Sequence, residues 1–191
     1  NAATSQMPRS VIEKVAEQYS HYNAGINRGA HYLGGLSTER MEAARESVRS
    51  FIGAGSSREV IFTSGATDSI NTVACSFGEL SLSEGDEVIV SVMEHHSNLI
   101  PWRMLCERKK ARLIVVPLKR GGDLDLDFLV SAFSPRTRLV ALTHASNVLG
   151  TVNPVEEIIA MAHERDVPVL VDGAQAIRHF PVDVRALDCD F

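Results

Sequence analysis

Four stretches of this chain place side chains capable of chemistry just after apolar runs. Val169-Leu170-Val171-Asp172-Gly173-Ala174-Gln175 ends a strand-like run in an acid, with an amide close behind. A carboxylate held half-buried at a strand end requires a cation or several hydrogen-bond donors. Read alone, Asp172 is also a loop acid capping the turn that follows. In Thr63-Ser64-Gly65-Ala66-Thr67-Asp68, Gly65 permits a tight turn straight into a helix. Free amides at that helix start, with the Thr67 hydroxyl alongside, suit a phosphate. The stretch is not GxxxxGK[ST], and a plain helix cap by Ser64 or Thr67 explains it equally. Met93-Glu94-His95-His96-Ser97-Asn98 follows another apolar run. Adjacent histidines in extended backbone face opposite ways, so they do not readily share a metal. One of them could stack on a flat ligand or shuttle a proton, or both could be ordinary loop histidines. In Thr143-His144-Ala145-Ser146-Asn147-Val148-Leu149-Gly150, Asn147 carries a donor and an acceptor suited to a phenolic or carboxylate oxygen. Loop asparagines are common without any such role.

The elements that must position these groups alternate. Pro8 can open a helix running to about Tyr22, with Val11, Ile12, Val15 and Tyr19 on one face. Asn23 to Gly35 reads as a loop, and a second amphipathic helix runs from Thr38 to near Gly53-Ala54-Gly55. Strand-then-helix units follow. Val60-Ile61-Phe62-Thr63 leads to a helix from Thr67, Val88-Ile89-Val90 to one from about Asn98, and Leu113-Ile114-Val115-Val116 to one near Asp125. Leu139-Val140-Ala141-Leu142 leads to a helix after Pro154, and Val167 to Val171 forms the next strand. This alternation predicts an α/β fold, a mostly parallel sheet with helices on both faces. Residues 1–55 read as a helical and loop lead-in, residues 56–191 as the α/β units, with no linker long enough to split them. Parallel strands bring their carboxyl ends to one rim. A phosphate cradle, a flat ring, an amide and a buried acid gathered there describe a flat, phosphorylated, cationic heterocycle.

Composition narrows the class. The 191 residues are 45% hydrophobic with a net charge of −5, which suits a globular chain and argues against a nucleic-acid surface. No apolar run approaches membrane-spanning length, and no Lys/Arg-headed leader precedes the first helix, so a cytoplasmic protein is expected. Cys75, Cys106 and Cys189 show no metal-ligand spacing and read as reduced thiols; no metal is expected. The chain opens on Asn1 rather than Met and closes on Leu187-Asp188-Cys189-Asp190-Phe191, which looks like the start of another strand. It therefore reads as an excerpt of a longer protein.

Met93-Glu94-His95-His96-Ser97-Asn98 with Pro101-Trp102, Thr143 to Gly150, Val171-Asp172-Gly173-Ala174-Gln175-Ala176 and Pro181-Val182-Asp183 occur in this order over nearly the whole chain. They resemble the signatures of class V aminotransferase-like enzymes that use pyridoxal 5'-phosphate, and most closely the SufS-like cysteine desulfurases and selenocysteine lyases. The resemblance implies the large domain of the fold type I transferases, here incomplete. It implies that Ala66 and Thr67 hold the cofactor phosphate, that His95 stacks on the ring, and that Asn147 and Gln175 bond near its phenolic oxygen. Asp172 would pair with the ring nitrogen, a charge-assisted bond of roughly 1.5–3 kcal/mol that keeps the ring an electron acceptor. Arg28, in Asn27-Arg28-Gly29-Ala30-His31, resembles a loop at the active-site mouth.

The family's cofactor-bearing lysine follows a segment like Asp188 to Phe191, and its sulfur-accepting cysteine and carboxylate-gripping arginine come later still. None of these falls within this chain, so the excerpt alone is expected to be inactive. Asn27 stands where close relatives carry His, and Ser64-Gly65-Ala66-Thr67 is nearer to the other desulfurase branch than to an Arg-Gly-Thr-Thr form. The implied whole enzyme is a homodimer that takes sulfur from L-cysteine as an enzyme persulfide, leaves L-alanine, and passes the sulfur to an acceptor protein for iron-sulfur cluster assembly. Alternatives are a selenocysteine lyase or another class V enzyme and, from a different class, a non-catalytic phosphate- or nucleotide-binding module.

Overall fold

A computed structural model describes residues 3–27 and 31–191. The chain divides into two compact units, Asn1–Ile61 and Phe62–Phe191. In the first, helix α1 spans Arg9–His21 and α2 spans Tyr32–Phe51. Pro8 precedes α1 as expected, yet α1 buries no residue, and its Val11, Ile12, Val15 and Tyr19 are exposed. Helix α2 begins earlier than its apolar pattern suggests. The His31 ring accepts the Gly34 N–H at 3.2 Å, capping a first turn that contains two glycines. The expected loop from Asn23 to Gly35 is shortened accordingly.

The expected strand at Val60-Ile61-Phe62-Thr63 does not form. The backbone stays extended at Val60 (φ −96°, ψ 111°), but no described strand pairs with it, and Ile61 is 74% exposed. Strand preference expresses packing against neighbouring strands, and none of the four paired strands bonds to this segment.

The second unit holds α3 (Ala66–Val73), which runs through a wider turn at Ala74–Gly78 into α4 (Glu79–Ser81). Strands β1 (Glu87–Ser91), β2 (Arg112–Val116), β3 (Thr137–Thr143) and β4 (Val169–Asp172) alternate with α5 (His96–Lys109), α6 (Leu126–Ala132) and α7 (Val155–His163). Short helices α8 (Ala176–His179) and α9 (Val184–Leu187) follow. All strand pairs are parallel, in the order β2-β1-β3-β4. The chain thus winds outward from β1 to β2, then returns past β1 to β3 and β4. The order reverses between β1 and β3, and crevices at such reversals hold ligands.

Alternate residues explain why both faces are covered. Val88, Val90, Leu139, Ala141 and Leu170 pack with Ile70 of α3 and Trp102 and Leu105 of α5. Their neighbours Ile89, Val140, Leu142 and Val169 pack with Leu129 of α6 and Ile158 and Ile159 of α7. That two-residue alternation, with apolar groups on both sides, makes β1, β3 and β4 hydrophobic runs covered on both faces, while the edge strand β2 is partly exposed. Gly78 lets the α3–α4 segment approach α5 closely. A Cβ there would lie 2.6 Å from Leu105 Cδ2 and 3.2 Å from Trp102 Cζ3.

Beyond α9 the chain returns beside β4. Phe191 N–H donates to Val169 O at 3.2 Å, and its carbonyl accepts Val171 N–H at 2.9 Å, the bonding of a parallel neighbour. No described helix is long and apolar enough to cross a membrane.

Candidate functional site

The phosphate cradle begins at Gly65, whose φ of 145° only glycine adopts readily. Gly65 caps α3, and among the described residues no side-chain cap bonds the helix's first amides. Asp68 instead turns back, its Oδ2 accepting Ser64 N–H at 3.0 Å. The amides at Ala66 and Thr67 therefore form an uncapped helix start, with the partial positive charge that favours anions.

Thr67 is joined to the second candidate stretch. Its Oγ1 lies 2.8 Å from Ser97 Oγ, which lies 2.7 Å from His95 Nδ1. His95 also caps α5, Nδ1 accepting Ser97 N–H at 3.1 Å. That acceptor role requires the neutral ring to carry its proton on Nε2. The Ser97 hydroxyl must then donate to Nδ1 and accept from Thr67. A directed chain from Thr67 through Ser97 to His95 results, and the His95 side chain remains exposed. The His96 ring lies 6.2 Å from that of His95, and no described cluster of three or more His, Cys, Asp or Glu could hold a metal ion.

Asp172 ends β4, is 7% exposed, and its Oδ1 accepts Ala174 N–H at 3.0 Å. It shares a cleft of about 240 Å³ with Ala66, Ser69, Ile70, Val171 and Gly173. The acid and the cradle, 106 residues apart by number, line one cleft (172 − 66). Thr143 pairs with Asp172 in register, and His144 N–H donates to Asp172 O at 3.0 Å.

Asn147 sits on the exposed part of a loop that folds back through an Ala145–Val152 bridge. Ser146 Oγ holds this loop by accepting Val148 and Leu149 N–H at 3.3 and 3.1 Å. Gln175 is half-buried in the turn after β4, one residue before α8. Both occupy the strand-end rim, whereas Ala66, Thr67, His95 and Asp172 are linked more directly by the shared cleft and the hydroxyl chain. Arg28 lies outside the described residues. A larger cleft of about 480 Å³, lined by His144, Glu156, Phe180 and Asp183 among others, contains none of the candidate groups.

Ser97 and Glu94 were present in the motif but not singled out as site residues. Glu94 is buried, and its carboxylate accepts the Ser91 hydroxyl, Asn98 Nδ2 at 2.7 Å and Thr143 N–H at 3.0 Å. Burial pushes its carboxyl up to about 7, those donors oppose the rise, and the nearby Asp172 charge adds to it. The available signal was the polar pair Asn98 and Trp102, which meet four apart on α5, with an acid just ahead of that helix's cap. Burial lowers the proton affinity of His144 and raises that of the Cys189 thiol, while the Cys106 thiol is pushed up to about 11.

The whole chain, residues 1–191, matches the family model described as Aminotransferase class-V. A cysteine desulfurase of Klebsiella pneumoniae is 51% identical over 191 residues, 100% of this chain and 47% of that protein. The crystal structure of the Escherichia coli cysteine desulfurase CsdA (S-sulfonic acid) is similar with a TM-score of 0.89 and 39% identity, covering 100% of this chain and 48% of that one. The apo cysteine desulfurase from Thermococcus onnurineus NA1 is similar with a TM-score of 0.92 and 35% identity, covering 100% and 47%. The chain thus spans about half the length of these relatives. With every residue inside the matched region, the chain belongs to the class-V aminotransferase family.

Proposed function

We propose that the whole protein containing this chain is a pyridoxal 5'-phosphate-dependent cysteine desulfurase, and that these residues supply its cofactor-binding face. The observation that carries this reading is the single cleft shared by the uncapped α3 start at Ala66 and the buried Asp172 carboxylate. The residues fit the cofactor chemically. An anion belongs at the helix start, and a cation belongs against a carboxylate withdrawn from water.

Ala66 and Thr67 would hold the phosphate, and Asp172 would keep a proton on the ring nitrogen. His95, its own proton on Nε2, would flank the ring, and Asn147 and Gln175 would bond near its phenolic oxygen. When bound, the cofactor supplies an electron sink for bonds at an amino acid's α-carbon. Asp172 stabilises the cationic ring that makes this possible. None of Cys75, Cys106 and Cys189 matches the family's sulfur acceptor, and burial pushes the Cys106 and Cys189 thiols up, which disfavours the reactive thiolate. The accepting thiol, the cofactor-bearing lysine and the group that grips the substrate carboxylate come from the remainder of the enzyme. The working form is a cytoplasmic homodimer that hands sulfur to an acceptor protein.

The experiment is to incubate the purified whole protein, with pyridoxal 5'-phosphate, with L-cysteine and measure alanine. Cofactor-dependent alanine formation with matching sulfur release is expected. Failure to form alanine despite cofactor binding would reject the desulfurase assignment, and product from L-selenocysteine alone would favour a lyase. An absence of cofactor binding, with a nucleotide bound instead, would reject the enzyme reading altogether.

A further inference from the structure

Hydrogen-bonded pairing between β1 and β3 ends at Val90–Ala141, where the two strands part at the reversal of strand order. Glu94 crosses that parting: its Oε1 accepts Thr143 N–H, two residues beyond the last pair, at 3.0 Å, and also accepts the Ser91 hydroxyl. Its Oε2 accepts Asn98 Nδ2 at 2.7 Å in the first turn of α5. The side chain therefore ties together β1, β3 and α5 where backbone bonding has stopped.

The direction of these bonds dictates an acid rather than an amide. Trp102 is fully buried, and its indole N–H, which can only donate, meets Asn98 Oδ1 at 3.0 Å. Asn98 must consequently turn its NH₂ group toward residue 94. Ser91 and the Thr143 amide also donate there, so residue 94 must present acceptors on both oxygens. A glutamine would set one NH₂ against a donor, and Asn98 cannot flip without opposing the indole.

We propose that Glu94 is a positioning residue of the cofactor site, holding the tips of β1 and β3 at a fixed separation so that His95 and Asp172 are presented together. Its consequence for catalysis rests on the desulfurase reading. His95 follows Glu94 directly, and Thr143 is the register partner of Asp172, so both candidate groups are one connection from this acceptor. Asp172 at the β4 tip is the charged group that acts on Glu94, while β1, β3 and α5 contribute the uncharged donors Ser91, Thr143 and Asn98. His95 adjoins it on its own segment. Ionisation of Glu94 strengthens the three bonds, and protonation weakens at least one.

The test uses the whole apoprotein and the variants Glu94→Gln and Asn98→Ala. Hydrogen exchange at the Thr143 amide, followed against pH before any cofactor is added, reports the tie itself. In the native protein this amide is expected to be protected, with a transition near pH 7. Glu94→Gln should raise its exchange at least tenfold and abolish that transition. Asn98→Ala removes one donor to the carboxylate, so the transition should move upward by about half a pH unit or more; this variant decides the matter if Glu94→Gln does not fold. Reconstitution should then show several-fold weaker pyridoxal 5'-phosphate binding in Glu94→Gln. Exchange and pH profiles identical to the native protein in both variants would overturn the positioning role. Expected exchange behaviour in a protein that never binds the cofactor would instead uphold the tie and overturn the desulfurase reading.

Discussion

Replacing Asp172 with Asn removes one negative charge while nearly preserving shape, and the structure indicates how much that charge is worth. Asp172 is 7% exposed, so in the proposed site its carboxylate would face a cationic ring nitrogen with little screening by solvent. Exposed ion pairs contribute about 0–1 kcal/mol, whereas charge-assisted bonds of withdrawn groups contribute about 1.5–3 kcal/mol. The larger range applies here, and it corresponds to about a 10- to 150-fold loss in kcat/KM. The fold should survive, because an asparagine Oδ1 still accepts the Ala174 N–H now bonded at 3.0 Å. Cofactor retention should fall much less, since the proposed phosphate contacts at Ala66 and Thr67 would be untouched. The assay is steady-state alanine formation from L-cysteine beside a measured cofactor occupancy. Turnover within about threefold of the native enzyme at full occupancy would rule out the ring-nitrogen role of Asp172, because a carboxylate so placed would then be contributing no more than an exposed pair.

Other outcomes follow from the same contacts. Gly78→Ala sets two effects in opposition: Ala gains about 1 kcal/mol of helix preference at φ −60°, but its Cβ would press 2.6 Å from a buried Leu105 atom. Overpacking costs about 1–3 kcal/mol, so the melting temperature of the whole protein should fall; a rise would show that Leu105 yields freely. Ser97→Ala keeps the backbone cap on His95 Nδ1 but breaks the hydroxyl chain to Thr67, and nitrogen NMR should show the Nε2–H tautomer losing ground by roughly 0.5–1.5 kcal/mol. An unchanged tautomer ratio would argue against the chain. Glu94 has a folded-state value of about 7 against an ordinary 4.5, so its favourable contribution to stability is complete below the lower value and lost as pH rises through the higher. Native stability should therefore decline across pH 4.5–7 by up to about 3 kcal/mol from this group, and Glu94→Gln should flatten that slope in denaturant titrations.

The four paired strands were legible because each is apolar on both faces, so local composition alone announces them. Asp172 was legible for the same reason: an acid ending such a run cannot avoid the sheet rim. Val60 to Thr63 has the same local character, but pairing requires a neighbour, which the segment's own residues cannot encode. The early start of α2 was hidden because Gly34 and Gly35 resemble loop residues, and only the His31 cap explains their helical place. Glu94 escaped notice because its decisive partner, the Thr143 amide, lies 49 residues away. The four-residue steps from Glu94 to Asn98 to Trp102 contain the rest of its network, and a search for buried acceptors at that spacing would have found it.

In the proposed site Asp172 answers a cationic ring held by its phosphate at Ala66 and Thr67. The most direct measurement is a crystal structure of the whole protein with pyridoxal 5'-phosphate bound. An Asp172 oxygen about 2.7–2.9 Å from the ring nitrogen is expected, with the phosphate on the α3 amides. A bound cofactor whose ring nitrogen faces solvent or another side chain, with Asp172 turned away, would contradict it.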